Sequence, residues 1–209
     1  EESGATMNFC VYAMAIAGII TLAMGLVFLQ PLAQISGADA DNIIYTCDYL
    51  KWIFIGALFI MLANGFVHLF RSVGLIKEST IGLVLGNVIN MALDYVFIAI
   101  LGWGTAGAAL ATSLGFVCAS IYYIGCMIRE EHKGNPLLPL TPKHFSPNPA
   151  MIRNVVSIGI PGALITVLMS VSNIVLNNYI SIYGSDAVAS YGIAYKLDMS
   201  PILLSVGLS

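Results

Sequence analysis

Between Ser79 and Gly104 the chain reads STIGLVLGNVINMALDYVFIAILGWG, and its one charged side chain is Asp94. Asn90 precedes it by one helical turn, on the same helical face. A second apolar run starts at Thr105, directly after Gly102-Trp103-Gly104, and carries Thr112. So short a connection predicts an antiparallel helical hairpin. Asp94 stands seven residues before Leu101 and Thr112 seven after Thr105, so at ~1.5 Å rise per residue both lie roughly 10 Å below the hairpin's outer edge. Asn90 lies roughly 6 Å deeper, and a carboxyl and a hydroxyl at matched depth with an amide one turn below can share a proton or surround a small cation. Inside hydrocarbon an ionised carboxylate is costly, so such residues usually work. The alternative is an acid hydrogen-bonded to its neighbours purely as a packing device.

The elements that hold these residues can be read from composition. Of the 209 residues 58% are hydrophobic and 9% charged, and the mean hydropathy is +0.89. A water-soluble domain carries about 25% charged residues. Six apolar runs of bilayer length occur at 7–30, 52–70, 79–101, 105–128, 154–182 and 187–209, each matching the roughly 20 residues a helix needs to cross. The fold class is an all-α, polytopic helical bundle in the lipid bilayer. A net charge of −3 offers no basic patch for nucleic acid.

Charge also orients the runs. The loop after the second run holds Arg71 and Lys77, and the one after the fourth holds Arg129, Lys133 and Lys143, whereas 102–104 and 183–186 hold no Lys or Arg. Lys and Arg in short loops stay on the cytoplasmic side, so the basic loops are expected inside a plasma-membrane protein. The loop at 31–51, with Asp39, Asp41 and Asp48 against Lys51, is expected outside. Five of the eight prolines, at 136, 139, 142, 147 and 149, fall in REEHKGNPLLPLTPKHFSPNPA, which reads as a linker over 131–150 between a four-helix block at 1–130 and a second block at 151–209. The chain opens on Glu-Glu-Ser-Gly and stops within the sixth run, so it is expected to be an internal part of a longer one.

Small residues repeat at every fourth position on both sides of the hairpin: Gly82 and Gly86 lead to Asn90 and Asp94, and Gly107, Ala111, Gly115 and Ala119 face them. That spacing lets two backbones approach closely in lipid. In the fifth run Thr166, Ser170, Asn173, Asn177 and Ser181 form a polar stripe, and Tyr191 and Tyr195 come after it in the sixth. Either a wet substrate cavity or interhelical hydrogen bonding explains them. Pro161 predicts a kink near the inner end of the fifth helix.

Other patterns carry less. GWGTAG at 102–107 matches the dinucleotide fingerprint, but a membrane-length run on each side leaves no room for the strand that such a site requires. Cys10, Cys47, Cys118 and Cys126 have no paired spacing, and His68, His132 and His144 have no ligand spacing. No cofactor or catalytic group is expected; the one small ion in view is a coupling proton or sodium at Asp94.

Several segments resemble one family. They are the Arg-x-x-Gly at 71–74, the Asn-x-x-x-Asp at 90–94, the Gly-x-Gly-x-x-Gly-Ala-Ala-x-Ala-Thr turn starting at Gly102, and the stretch from Pro161 to Ala194. Together they look like the multidrug and toxic compound extrusion (MATE) transporters, over essentially the whole chain. The resemblance implies two six-helix lobes, with the runs here as the third to eighth helices. It also implies export of cationic or amphipathic compounds against protons or sodium, by a carrier expected to be monomeric. Asn90, Asp94 and Thr112 match the family's cation site in the N-terminal lobe, whose remaining aspartate belongs to a first helix outside this sequence. The chain departs from one branch of the family in having no acid between Arg153 and Asp186, which favours coupling in the N-terminal lobe. A lipid-linked oligosaccharide flippase of the same superfamily would be expected to line its cavity with several cations, and Lys196 is the only one deep in a run. A non-transporting membrane scaffold is the remaining reading, and no clustered catalytic side chains favour an enzyme.

Overall fold

The computed structural model describes residues 2–36, 38, 42–133, 149–184, 187–195 and 197. The helices are α1 Glu2–Val27, α2 Leu29–Ile35, α3 Ile43–Ser72, α4 Ile76–Asp94, α5 Gly104–His132 and α6 Pro149–Ser181, with a π-helical turn over Tyr95–Ile100 continuing α4. Residues 187–195 are also helical. Five stretches are long and apolar enough to cross a bilayer: Thr6–Val27, Ile43–Ser72, Ile76–Ile100, Gly104–His132 and Ile152–Ser181. Most of the 131–150 linker and the end of the sixth run lie outside the described residues.

Two of the boundaries that differ from the sequence expectation have a plain physical reason. Hydropathy carries the first run to residue 30, but α1 ends at Val27. In a continuous helix Pro31 would have no N–H to give to Val27 and its ring would press on that carbonyl. The chain breaks at Phe28 and restarts as α2, where Pro31 falls in a first turn that needs no such donor. The loop expected at 31–51 is largely helical as well. Asn42 precedes α3, and Thr46 N–H donates to its carbonyl at 3.0 Å, so Asp48 and Lys51 occupy exposed helical turns. Hydropathy marks where hydrocarbon ends, whereas backbone hydrogen bonding continues beyond it into the polar interface.

α3 is the central helix, packed against α1, α4 and α5, while α5 also packs along α4. Phe66, Phe70, Tyr123 and Met127 are fully buried in the inner half. Between α3 and α5 the glue is polar: Ser113 Oγ donates to the Trp52 carbonyl at 2.8 Å and Ser120 Oγ to the Phe59 carbonyl at 3.0 Å. In lipid, where burying an apolar side chain gains little, small residues and such hydrogen bonds hold helices together. The outward faces carry Ile16, Met24, Val88, Met91 and Ile121, all exposed, as hydrocarbon requires. α6 stands apart, with none of its membrane-length stretch buried, and it continues helically through Pro161 without interruption.

Candidate functional site

The α4–α5 hairpin fixes the site. Gly102 and Gly104 adopt φ of 67° and 54°, a left-handed backbone that side chains with a Cβ rarely enter. Trp103 N–H then donates back to the Phe97 carbonyl at 2.9 Å, and the two rings stack with centroids 5.2 Å apart. Farther in, Gly86 and Gly115 bring the backbones into contact. A Cβ on Gly115 would lie 2.7 Å from the Gly86 carbonyl oxygen and 3.0 Å from Asn90 Cβ.

That approach lets Asn90 reach Thr112, whose Oγ1 accepts from Asn90 Nδ2 at 3.3 Å. The threonine gives its own proton to the Ala108 carbonyl at 2.9 Å. With its amide nitrogen committed to Thr112, Asn90 keeps its carbonyl oxygen as an acceptor. Asp94 lies one turn outward and is half-buried, yet its Oδ1 has neither solvent contact nor a hydrogen-bond partner. An orphaned acceptor costs about 1–3 kcal/mol, and more if charged. A proton on the acid removes the charged part of that cost, and a cation beside it supplies the missing partner.

A cavity of about 140 Å³ opens between α3, α4 and α5, with Asn64, Asn87, Asn90 and Thr112 as its polar wall and Phe116 and Tyr123 on the apolar side. At about 30 Å³ per water it holds a few waters or a hydrated ion. It is well below the roughly 300 Å³ at which drug-sized pockets begin. Asp94 does not line it; Asn90, one turn inward from the acid, does. Sequence reasoning misses Asn64 and Asn87 as lining residues. Asn87 precedes Asn90 by three positions, which is the signal that could have found it.

The second set of candidates lies elsewhere. Ser170, Asn173 and Asn177 sit on α6, away from the α4–α5 hairpin, and Ser170 Oγ is used within its own helix, donating to the Thr166 carbonyl at 2.9 Å. Tyr191 and Tyr195 pair with ring centroids 6.1 Å apart. The structure brings Asn90 and Thr112 together beside Asp94 and does not bring the α6 stripe to them. Lys196 and Asp198 lie outside the described residues. Among the described residues, no three His, Cys, Asp or Glu side chains cluster to hold a metal.

The fold is that of a polytopic helical membrane protein. Its match to an inward-facing multidrug resistance MATE family transporter of the MOP superfamily has a TM-score of 0.84 at 22% identity, covering 96% of this chain and 50% of that one. An outward-facing transporter of the same description gives 0.78 at 25% identity, covering 94% and 43%. The MatE family matches residues 1–96. The multidrug export protein MepA of Staphylococcus haemolyticus is 34% identical over 97% of this chain and 44% of its own length; that of Staphylococcus aureus strain MRSA252 is 31% identical over 100% and 45%. The chain is thus similar to MATE transporters over nearly its whole length, and five of its described helices are long and apolar enough to cross a membrane. It spans somewhat under half the length of the curated relatives it matches.

Proposed function

We propose that the protein is a secondary active multidrug efflux transporter and not an enzyme, exporting cationic or amphipathic compounds by antiport against protons or sodium. The carrying observation is the buried, unpartnered Asp94 Oδ1 beside the Asn90–Thr112 pair. In this reading Asp94, Asn90 and Thr112 take up the coupling cation from outside. The cation repacks their hydrogen bonds and lowers drug affinity in the outward-open state. Cation and drug must prefer different states for the two fluxes to be coupled. The cavity beside Asn90 suits an ion with its water, so the drug is assigned to a surface between lobes that includes Ser170, Asn173, Asn177, Tyr191 and Tyr195. That no residue of the membrane-length stretch of α6 is buried is compatible with such a surface. The linker at 131–150 is cytoplasmic, and the carrier works as a monomer.

The test is efflux of a fluorescent cation from vesicles containing the full-length protein, driven in turn by a proton and a sodium gradient. Efflux with one of the ions, lost in Asp94→Asn, is the expected result. Undiminished efflux by a well-expressed Asp94→Asn protein moves coupling to another site, and no efflux with either gradient overturns the antiporter.

A further inference from the structure

The outer end of α4 leaves the α-helical register immediately after Asp94. In the π turn Leu101 N–H donates to the Val96 carbonyl at 3.0 Å, and the Phe97 carbonyl receives Trp103 N–H at 2.9 Å. An α-helix would instead give Leu101 N–H to Phe97. The Phe97 carbonyl therefore has two possible donors, and exchanging them keeps it bonded in either register. A π turn holds one residue more than the α path it replaces, and such insertions are frequent at functional sites.

The two halves of the helix are held differently. At the inner end, Tyr123 Oη donates to the Ser79 carbonyl at 2.7 Å and Ser79 Oγ to the Val67 carbonyl at 3.0 Å, both bonds buried. Tyr123 also packs against Phe66 and Phe70 at ring-centroid distances of 5.8 and 5.2 Å. This joins α3, α4 and α5 by main-chain acceptors, which cannot turn away. No residue of the π turn is buried. Phe97 rests over Gly107, where a Cβ would come within 3.0 Å of Phe97 Cβ. A glycine there leaves a smooth surface for that side chain to move across.

We propose that the π turn is a register switch: during transport Tyr95–Ile100 passes between the π register and a plain α register, turning the outer end of α4 against α5 while the inner half stays clamped. Because the π turn holds one residue more than the α path it replaces, putting the same residues in the α register turns the helix end beyond it by ~100° and carries that end outward by ~1.5 Å. Asp94 is the junction residue, so whatever satisfies its Oδ1 acts where the two paths diverge. The switch gives a small event at one carboxyl a large mechanical output, and in this respect it rests on the antiporter reading.

The experiment places spin-label pairs in the full-length protein stripped of native cysteines. Ile100→Cys with Ile44→Cys reports the outer end and Ile76→Cys with Ile128→Cys the inner end, all four sites being exposed. Distances are measured by pulsed electron spin resonance without and with saturating ethidium, and ethidium efflux is measured in parallel. The outer pair should shift by several ångström and the inner pair should not. Deletion of Ile98 should fix the outer pair at one distance and reduce efflux at least tenfold while ethidium still binds. If that deletion does not fold, the label pairs alone decide. An unchanged outer pair, or an inner pair that moves as far, overturns the switch; intact ion-driven efflux in that case preserves the antiporter. An outer-end shift without ion-driven efflux does the reverse. Absence of both binding and efflux, with both pairs fixed, removes both.

Discussion

Asn90 donates to Thr112 across 3.3 Å while Thr112 donates to its own helix at Ala108, so the hydroxyl relays between two helices. Thr112→Val keeps the shape and removes the acceptor. Interhelical bonds of this kind are worth about 0.6 kcal/mol on average, so the protein should fold with a melting temperature within a few degrees of wild type. Its ion-driven efflux should fall severalfold, because Asn90 is released beside Asp94. Melting curves and vesicle efflux, measured on one preparation, separate the two effects.

The approach of α4 to α5 predicts a large contrast between two glycines on one helix. Gly115→Ala forces a methyl to 2.7 Å from a main-chain oxygen, whereas a Cβ on Gly125 meets nothing within 4 Å. Overpacking costs about 1–3 kcal/mol, so Gly115→Ala should melt several degrees lower. Gly125→Ala should be neutral or slightly more stable, since alanine favours helix by up to ~1 kcal/mol.

Tyr123→Phe leaves the ring in place and removes the donor to the Ser79 carbonyl. The Ser79 carbonyl keeps its helical donor inside α4, so the loss is that of one hydrogen bond, about 0.5–1.5 kcal/mol. Thermal melting should register that loss, while Tyr183→Phe, at a position 83% exposed, should change nothing.

Sidedness is open to direct labelling. A membrane-impermeant maleimide on whole cells should modify Tyr183→Cys at once. It should reach Ser72→Cys only after permeabilisation, because Ser72 lies beside Arg71 on the basic face. Reversed accessibility would invert the orientation.

The hairpin was legible because two constraints coincide: a turn of three residues sets the register, and small residues at intervals of four set the contact face. These placed Asp94 level with Thr112 and Asn90 a turn deeper, whereas in the structure it is Asn90 that meets Thr112. The Tyr123–Ser79–Val67 clamp was not legible, since it uses main-chain acceptors that no side-chain pattern announces. The π turn was hidden for a related reason. YVFIAI is equally apolar in either register, and the choice lies in which carbonyl takes which N–H. α3 began nine residues before its apolar run because charged turns at a bilayer surface remain helical. The α6 stripe gave its period clearly, but periodicity names a face without naming what it meets.

Ser113 and Ser120 fasten α5 to α3 through the carbonyls of Trp52 and Phe59. Every amino acid supplies such a carbonyl, so beyond those acceptors the attachments ask α3 for room: Gly56 must stay small, since a Cβ there would come within 2.6 Å of Ser113 Cβ. The helix can therefore change its exposed and cavity-facing residues over generations without losing its anchorage.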